Sequence, residues 1–172
     1  MRIELTVNGN QYRVEAAVGC DVCSPAGVLI LDTGRGEAGD EAEAGCRPRR
    51  VPVDDALATA GLGAGDVALV VNCHLHFDHI GGNAALARLA PQVLLMCGED
   101  DRALVNDVER IIFDRYGEFA AEHGFDETDD SRAFIRSVTH TARVAVGLRG
   151  GERFDLGGRV VEILHTPGHS FG

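Results

Sequence analysis

An unbroken apolar run, Val67–Val71, passes directly into Asn72-Cys73-His74-Leu75-His76-Phe77-Asp78-His79-Ile80-Gly81-Gly82. Five apolar residues in succession predict a strand buried on both faces. The end of such a strand is where layered folds carry their functional loops. His74 and His76 are two apart, so extended backbone sets both on one side. Asp78 and His79 are adjacent, point in different directions, and are candidates for a second metal. Gly81 and Gly82 are expected to let the backbone turn tightly into a following helix, whose N-terminus favours an ionised Asp78. A single histidine is ordinarily a packed side chain, but three beside an aspartate predict a metal centre.

Around this segment, strand and helix signals alternate. Ile3, Leu5 and Val7 alternate with polar residues, Asn8-Gly9-Asn10 supplies a turn, and Tyr12, Val14 and Ala16 alternate back, which reads as a hairpin. Val28–Leu31 is a short run expected to be buried on both faces, closed by Asp32-Thr33-Gly34. Residues 34–50 lack periodicity and read as a solvated loop, with a small arginine patch at Arg47, Arg49 and Arg50. Helices are expected over Val53–Ala60 and Asn83–Ala90, and a buried strand over Val93–Met96. Asp100–Ala121 has the longest helical periodicity, through Leu104, Val108, Ile111, Ile112 and Phe119, with Gly117 as a kink and Glu99-Asp100-Asp101 as the acidic start. It reads as a core-packing or substrate-capping helix. Ser131–His140 is expected to be helical, and Val144–Val146, Glu152–Asp155 and Arg159–Leu164 to be strands, the last two joined by a turn at Leu156-Gly157-Gly158. This alternation predicts an α/β layered domain.

A second segment, Leu164-His165-Thr166-Pro167-Gly168-His169-Ser170, also follows a strand. Its Pro-Gly turn can aim His169 back toward the first cluster. Composition narrows the remaining choices. Net charge is −11, and all 16 basic residues are arginine, so a nucleic-acid groove is not expected. No run is long enough to span a membrane, and the start lacks the apolar stretch of a signal peptide. The five cysteines are scattered and odd in number, which favours a reducing cytoplasm over a disulfide framework. Cys20-Asp21-Val22-Cys23 has no second pair by spacing and opens no helix, so it reads as coincidence. Cys73 abuts His74 but is read as inert.

HLHFDH followed by GG, TPGHS further on, and LDTG earlier together resemble the metallo-β-lactamase superfamily. The resemblance extends from Val28 to Gly172. HLHFDHIGGN looks most like the lactonases that open N-acyl homoserine lactones. The resemblance implies an αββα sandwich, of which this chain would be one domain (1–172) holding the first half and the start of the second. It implies a first metal site of His74, His76 and His169 and a second that includes Asp78 and His79. Asp32 would be a structural neighbour, Phe77 would lie near substrate, and His165 matches no ligand position. Family members continue past the TPGHS turn to a bridging carboxylate and a final histidine, so an incomplete C-terminus is expected.

Zinc is the expected metal, two ions in the complete protein, with manganese, iron or cobalt chemically admissible. The resemblance implies a hydrolase in which a metal-activated hydroxide attacks an ester or lactone carbonyl of a small molecule. Asp78 is the expected catalytic carboxylate. Alternatives are thioester hydrolysis of the glyoxalase II kind, β-lactam hydrolysis, a mononuclear iron persulfide dioxygenase, and a non-catalytic metal-binding fragment. A homo-oligomer is left open, and neither nucleic acid nor membrane is an expected partner.

Overall fold

The computed structural model of the chain describes residues 2–7, 10–15, 28–36, 53–156 and 160–172. Strands β1 (Arg2–Val7) and β2 (Asn10–Glu15) form the expected antiparallel hairpin, in register from Arg2↔Glu15 to Val7↔Asn10. The Asn8-Gly9 turn, most of the 34–50 loop with its arginines, the Cys20–Cys23 pair and the Gly157-Gly158 turn lie outside the described residues.

The central sheet is parallel, in the order β3-β4-β5-β6: β3 (Val28–Leu31), β4 (Val67–Asn72), β5 (Leu94–Gly98) and β6 (Val146–Leu148). All six residues of β4 are buried, as its apolar run requires. The expectation that β3 is buried on both faces is corrected: Val28 is buried but Leu31 is 59% exposed. Among the described residues β3 is an edge strand of this sheet. Parallel strands need long crossovers, and helices supply them. Helix α1 (Val53–Thr59) leads to β4, and α2 (Phe77–Ile80) and α3 (Asn83–Leu89) lead to β5.

Alternation along β5 divides the core. Leu95 and Cys97 face the helices, packing with Leu57, Leu75, Ile80, Leu86, Val105 and Ile111. Leu94 and Met96 face the opposite way, toward Phe154, Leu156 and Val161. These belong to the antiparallel hairpin of β7 (Arg153–Asp155) and β8 (Val160–Glu162). A parallel sheet with helices on one face and a strand pair on the other is the α/β arrangement expected. No helix among the described residues is long and apolar enough to cross a membrane.

The single long helix expected over 100–121 is replaced by pieces: α4 (Arg102–Val105), α5 (Val108–Arg110), a π-helical segment Ile111–Tyr116, and α6 (Ala120–His123). Asn106 causes the first break. Its side chain donates to the Arg102 and Val144 carbonyls and accepts from the Val144 N–H, so it ties the helix to the strand side instead of continuing it. Asp107 then starts a new helix, accepting from the Glu109 and Arg110 N–H groups. Gly117 ends the π-helical segment, donating to Ile112 O at 3.1 Å. Of the residues expected on the core face, Leu104, Ile111 and Ile112 are buried, but Phe119 is 46% exposed. Helix α7 (Asp129–Val138) follows, capped by the Thr128 hydroxyl, which accepts from the Ser131 N–H.

Candidate metal centre

The site begins at the carboxyl end of β4, where Leu75 is 0% exposed, anchored in the helix-side core. Because alternate residues oppose one another, burying Leu75 turns His74 and His76 to the other side together. His76 is the cap residue of α2, and the same helix presents Asp78 and His79 while Ile80 plugs into the core.

His169 completes the cluster from the far end of the chain. Its Nε2 lies 2.9 Å from His76 Nδ1. Ring centroids of His74 and His76 are 4.8 Å apart, those of His74 and His169 4.7 Å, and those of His74 and His79 3.8 Å. The ligating atoms fall into two groups, each within 4.8 Å: His74, His76 and His169, and His74, Asp78 and His79. His74 belongs to both. The sequence therefore named five residues that the fold brings together. His165, left outside the set, is in neither group; its Nε2 contacts Phe171 O at 2.9 Å. Phe77 is half-buried and meets Phe134 edge to face, joining α2 to α7.

Asp32 is the organising residue beneath the cluster. One carboxylate oxygen pairs with His79 Nδ1 at 2.8 Å, and the other accepts from the Cys73 N–H at 2.7 Å. Such a partner fixes the imidazole and leaves Nε2 facing the site. Asp32 is also the sole non-glycine residue with positive φ among those described, at 60°, a strained state that short polar side chains tolerate best. The loop it opens is stitched to α2: Thr33 N–H donates to His79 O, and Gly82 N–H to Gly34 O.

Gly81 and Gly82 form the expected tight turn, between α2 and α3. Their φ values, −60° and −85°, are ordinary. What they lack is room: a Cβ on Gly81 would sit 2.2 Å from Gly36 N, and one on Gly82 2.4 Å from Thr33 O. Close passage of two backbones is what demands glycine in this turn.

Sequence reasoning missed a buried polar knot below the ligands. Thr33 Oγ1 donates to Asn83 Oδ1 at 2.8 Å, and Asn83 Nδ2 donates to Asn72 Oδ1 at 2.9 Å. Asn72 and Thr33 side chains also donate to the His79 carbonyl. A polar residue closing an otherwise apolar β4 was the available signal. It also missed Tyr116, whose ring stacks on His76 at 5.2 Å, and Arg115, whose Nη2 donates to His169 O at 2.6 Å. Neither belongs to a motif.

The electrostatics suit coordination. Burial, then the neighbouring imidazoles His74 and His169 and the Arg115 cation, push His76 down to about 4; the Asp78 carboxylate opposes them. His74 is lowered for the same first reason, with His79 and His169 adding. The lone pairs of these rings are thus kept free of protons. Partial burial and the Asp32 carboxylate push the Cys73 thiol up to about 11, so it stays protonated and is a poor thiolate ligand. Converging neutral imidazoles beside an exposed carboxylate are the donor set that a borderline transition metal ion takes, and the residues present fit one.

The chain has likenesses among known proteins. A curated hydroxyacylglutathione hydrolase of Trichodesmium erythraeum is 26% identical over 121 residues, 70% of this chain and 32% of that protein. A metallo-β-lactamase family protein of Thermus thermophilus superposes with a TM-score of 0.62 at 19% identity, covering 100% of this chain and 53% of its own. A subclass B3 metallo-β-lactamase of Bradyrhizobium japonicum superposes with a TM-score of 0.57 at 21% identity, covering 98% and 48%. The chain thus spans about a third of that curated relative and about half of those solved structures. Residues 17–172 match the family model of the metallo-beta-lactamase superfamily, and with the αβ layering and the histidine cluster in place, the chain belongs to that superfamily.

Proposed function

We propose that this chain carries the metal-binding side of a hydrolase that opens an ester or lactone carbonyl. The observation that carries the proposal is the convergence of His74, His76 and His169 on one point, with Asp78 and His79 sharing His74 beside it. His74, His76 and His169 would hold one ion, and His79 and Asp78 would take part in holding a second. When bound, such an ion supplies Lewis acidity and a water acidified toward a pKa of about 7. Zinc is the first choice for an imidazole-rich set.

The chain's own groups then have distinct tasks. Asp32 keeps the His79 ring oriented. Asp78 presents a carboxylate that is 60% exposed, with Oδ2 3.7 Å from His79 Nε2. In this reading it would accept a proton from attacking water and return it to the leaving alkoxide. A thioester substrate is the second reading, supported by the likeness to a hydroxyacylglutathione hydrolase. The odd, scattered cysteines support a reducing cytoplasm as the place of action.

The test is purified protein loaded with zinc and offered an N-acyl homoserine lactone, a hydroxyacylglutathione thioester and a β-lactam in parallel. Lactone opening is the expected result. Thioester cleavage alone would transfer the assignment to the second reading. Oxygen uptake with a persulfide, seen with iron only, would replace hydrolysis altogether. Metal counting separates the two donor groups: His74→Ala is expected to lose both ions, and His79→Ala one.

A further inference from the structure

We propose that Arg115 and Tyr116, carried side by side on the π-helical segment, are positioning residues that hold His169 and His76 in their converged geometry. The inference rests on the metal-centre reading above and assigns the second layer around it. π-Helical turns are rare and concentrate at functional sites. This one buries Ile111 and Ile112 in the core, 0% and 1% exposed, while its last two residues reach the histidines.

Each grips a different ligand. The Tyr116 ring lies nearly parallel to His76, at 23° and 5.2 Å, beside the start of α2. Arg115 Nη2 donates to the His169 carbonyl at 2.6 Å, and its guanidinium lies 5.4 Å over the Phe171 ring. Glu118 holds the other arm of the fork. The segment that bears His169 follows β8 and has little regular structure, with Gly168 at φ 149°. Arg115 supplies a hydrogen bond to that segment from outside it. The arginine is mostly buried, and its Nε has no hydrogen-bond partner among the described residues. Leaving a buried donor unsatisfied is costly, so packing alone is a poor reason for arginine at this position.

The experiment compares Arg115→Met, Arg115→Lys, Tyr116→Leu and Arg136→Met in the full chain. Arg136 pairs with Glu109 on the surface and, among the described residues, makes no contact with the candidate ligands, so it controls for the loss of a surface arginine. Three readouts are taken: hydrogen exchange of the 165–172 segment without metal, zinc affinity by chelator competition, and the visible spectrum of the cobalt(II) form. Arg115→Met is expected to speed exchange of 165–172 and weaken zinc about ten- to hundredfold, the range for removing an outer partner of a ligand. Arg115→Lys, which keeps the charge but not the fork, is expected to recover part of both. Tyr116→Leu is expected to shift the cobalt bands without speeding exchange at 165–172. Arg136→Met is expected to change none of them. Wild-type exchange and affinity in Arg115→Met, or equal losses in Arg136→Met, would overturn the proposal. If the wild-type chain binds no metal, the hydrolase reading falls. The exchange data then decide the hold on the 165–172 segment separately, and unchanged exchange overturns it.

Discussion

Single residues here owe their roles to neighbours that the sequence does not place. Asp32 sits 47 positions from His79 yet bonds its ring nitrogen. Asn tolerates the left-handed backbone nearly as well as Asp, so Asp32→Asn isolates the charge from the strain. It is expected to leave the melting temperature nearly unchanged and to weaken metal binding at the His79 group about ten- to hundredfold, read by chelator competition. The depressed basicity of His76 also has a stability consequence. Its folded value is about 4 against an ordinary 6.5, so between these values the unfolded chain binds more protons than the folded one. Stability must then rise with pH across that interval. Urea titrations of the metal-free chain are expected to show stability falling as pH drops from 6.5 to 4. A flat profile would contradict the burial that causes the shift. The five ligand candidates were legible because HxH alternation and the TPGH turn are local patterns. Asp32's two hydrogen bonds, and the grip of Arg115 and Tyr116, are contacts at long range with no local signature.

At the level of elements, burial patterns were the readable part. β4 and β5 could be found from apolar runs, α3 from helical spacing, and α1 from the glycines that stop it. The long helix over 100–121 was misread because Asn106 forms its decisive bonds with Val144, 38 positions away. Periodicity records which residues face the core, and it survived the break at Leu104, Ile111 and Ile112; continuity of the backbone leaves no such record. β3 was misread for a related reason, since an apolar run does not say whether its strand is central or at an edge. The His74–His76 loop depends on one anchor, Leu75. Leu75→Ala is expected to cost about 2–5 kcal/mol, the range for a buried leucine that leaves a cavity, measured by denaturant unfolding. Because both flanking histidines are oriented by that anchor, metal affinity should fall with it. Loss of stability without loss of affinity would mean that the loop is held some other way.

For the whole molecule, a metal held by these residues would be a cross-link. His76 and His169 are 93 positions apart, and a ligand that binds only the folded chain stabilises it by mass action. Free zinc at a hundred times its dissociation constant is expected to add about 2.7 kcal/mol to the unfolding free energy. Chelation should remove that increment, and His169→Ala should reduce it to what the His74, Asp78 and His79 group supplies; thermal melts with and without zinc read both. The same separation bears on how the protein is made. Synthesis runs from the N-terminus, so the HLHFDH segment leaves the ribosome long before His169 exists. Until then the nascent chain can offer a cation only the poorer set of His74, Asp78 and His79. Full capture waits for His169 to emerge and fold back, and a tightly held ion would then mark a chain whose two distant segments have met.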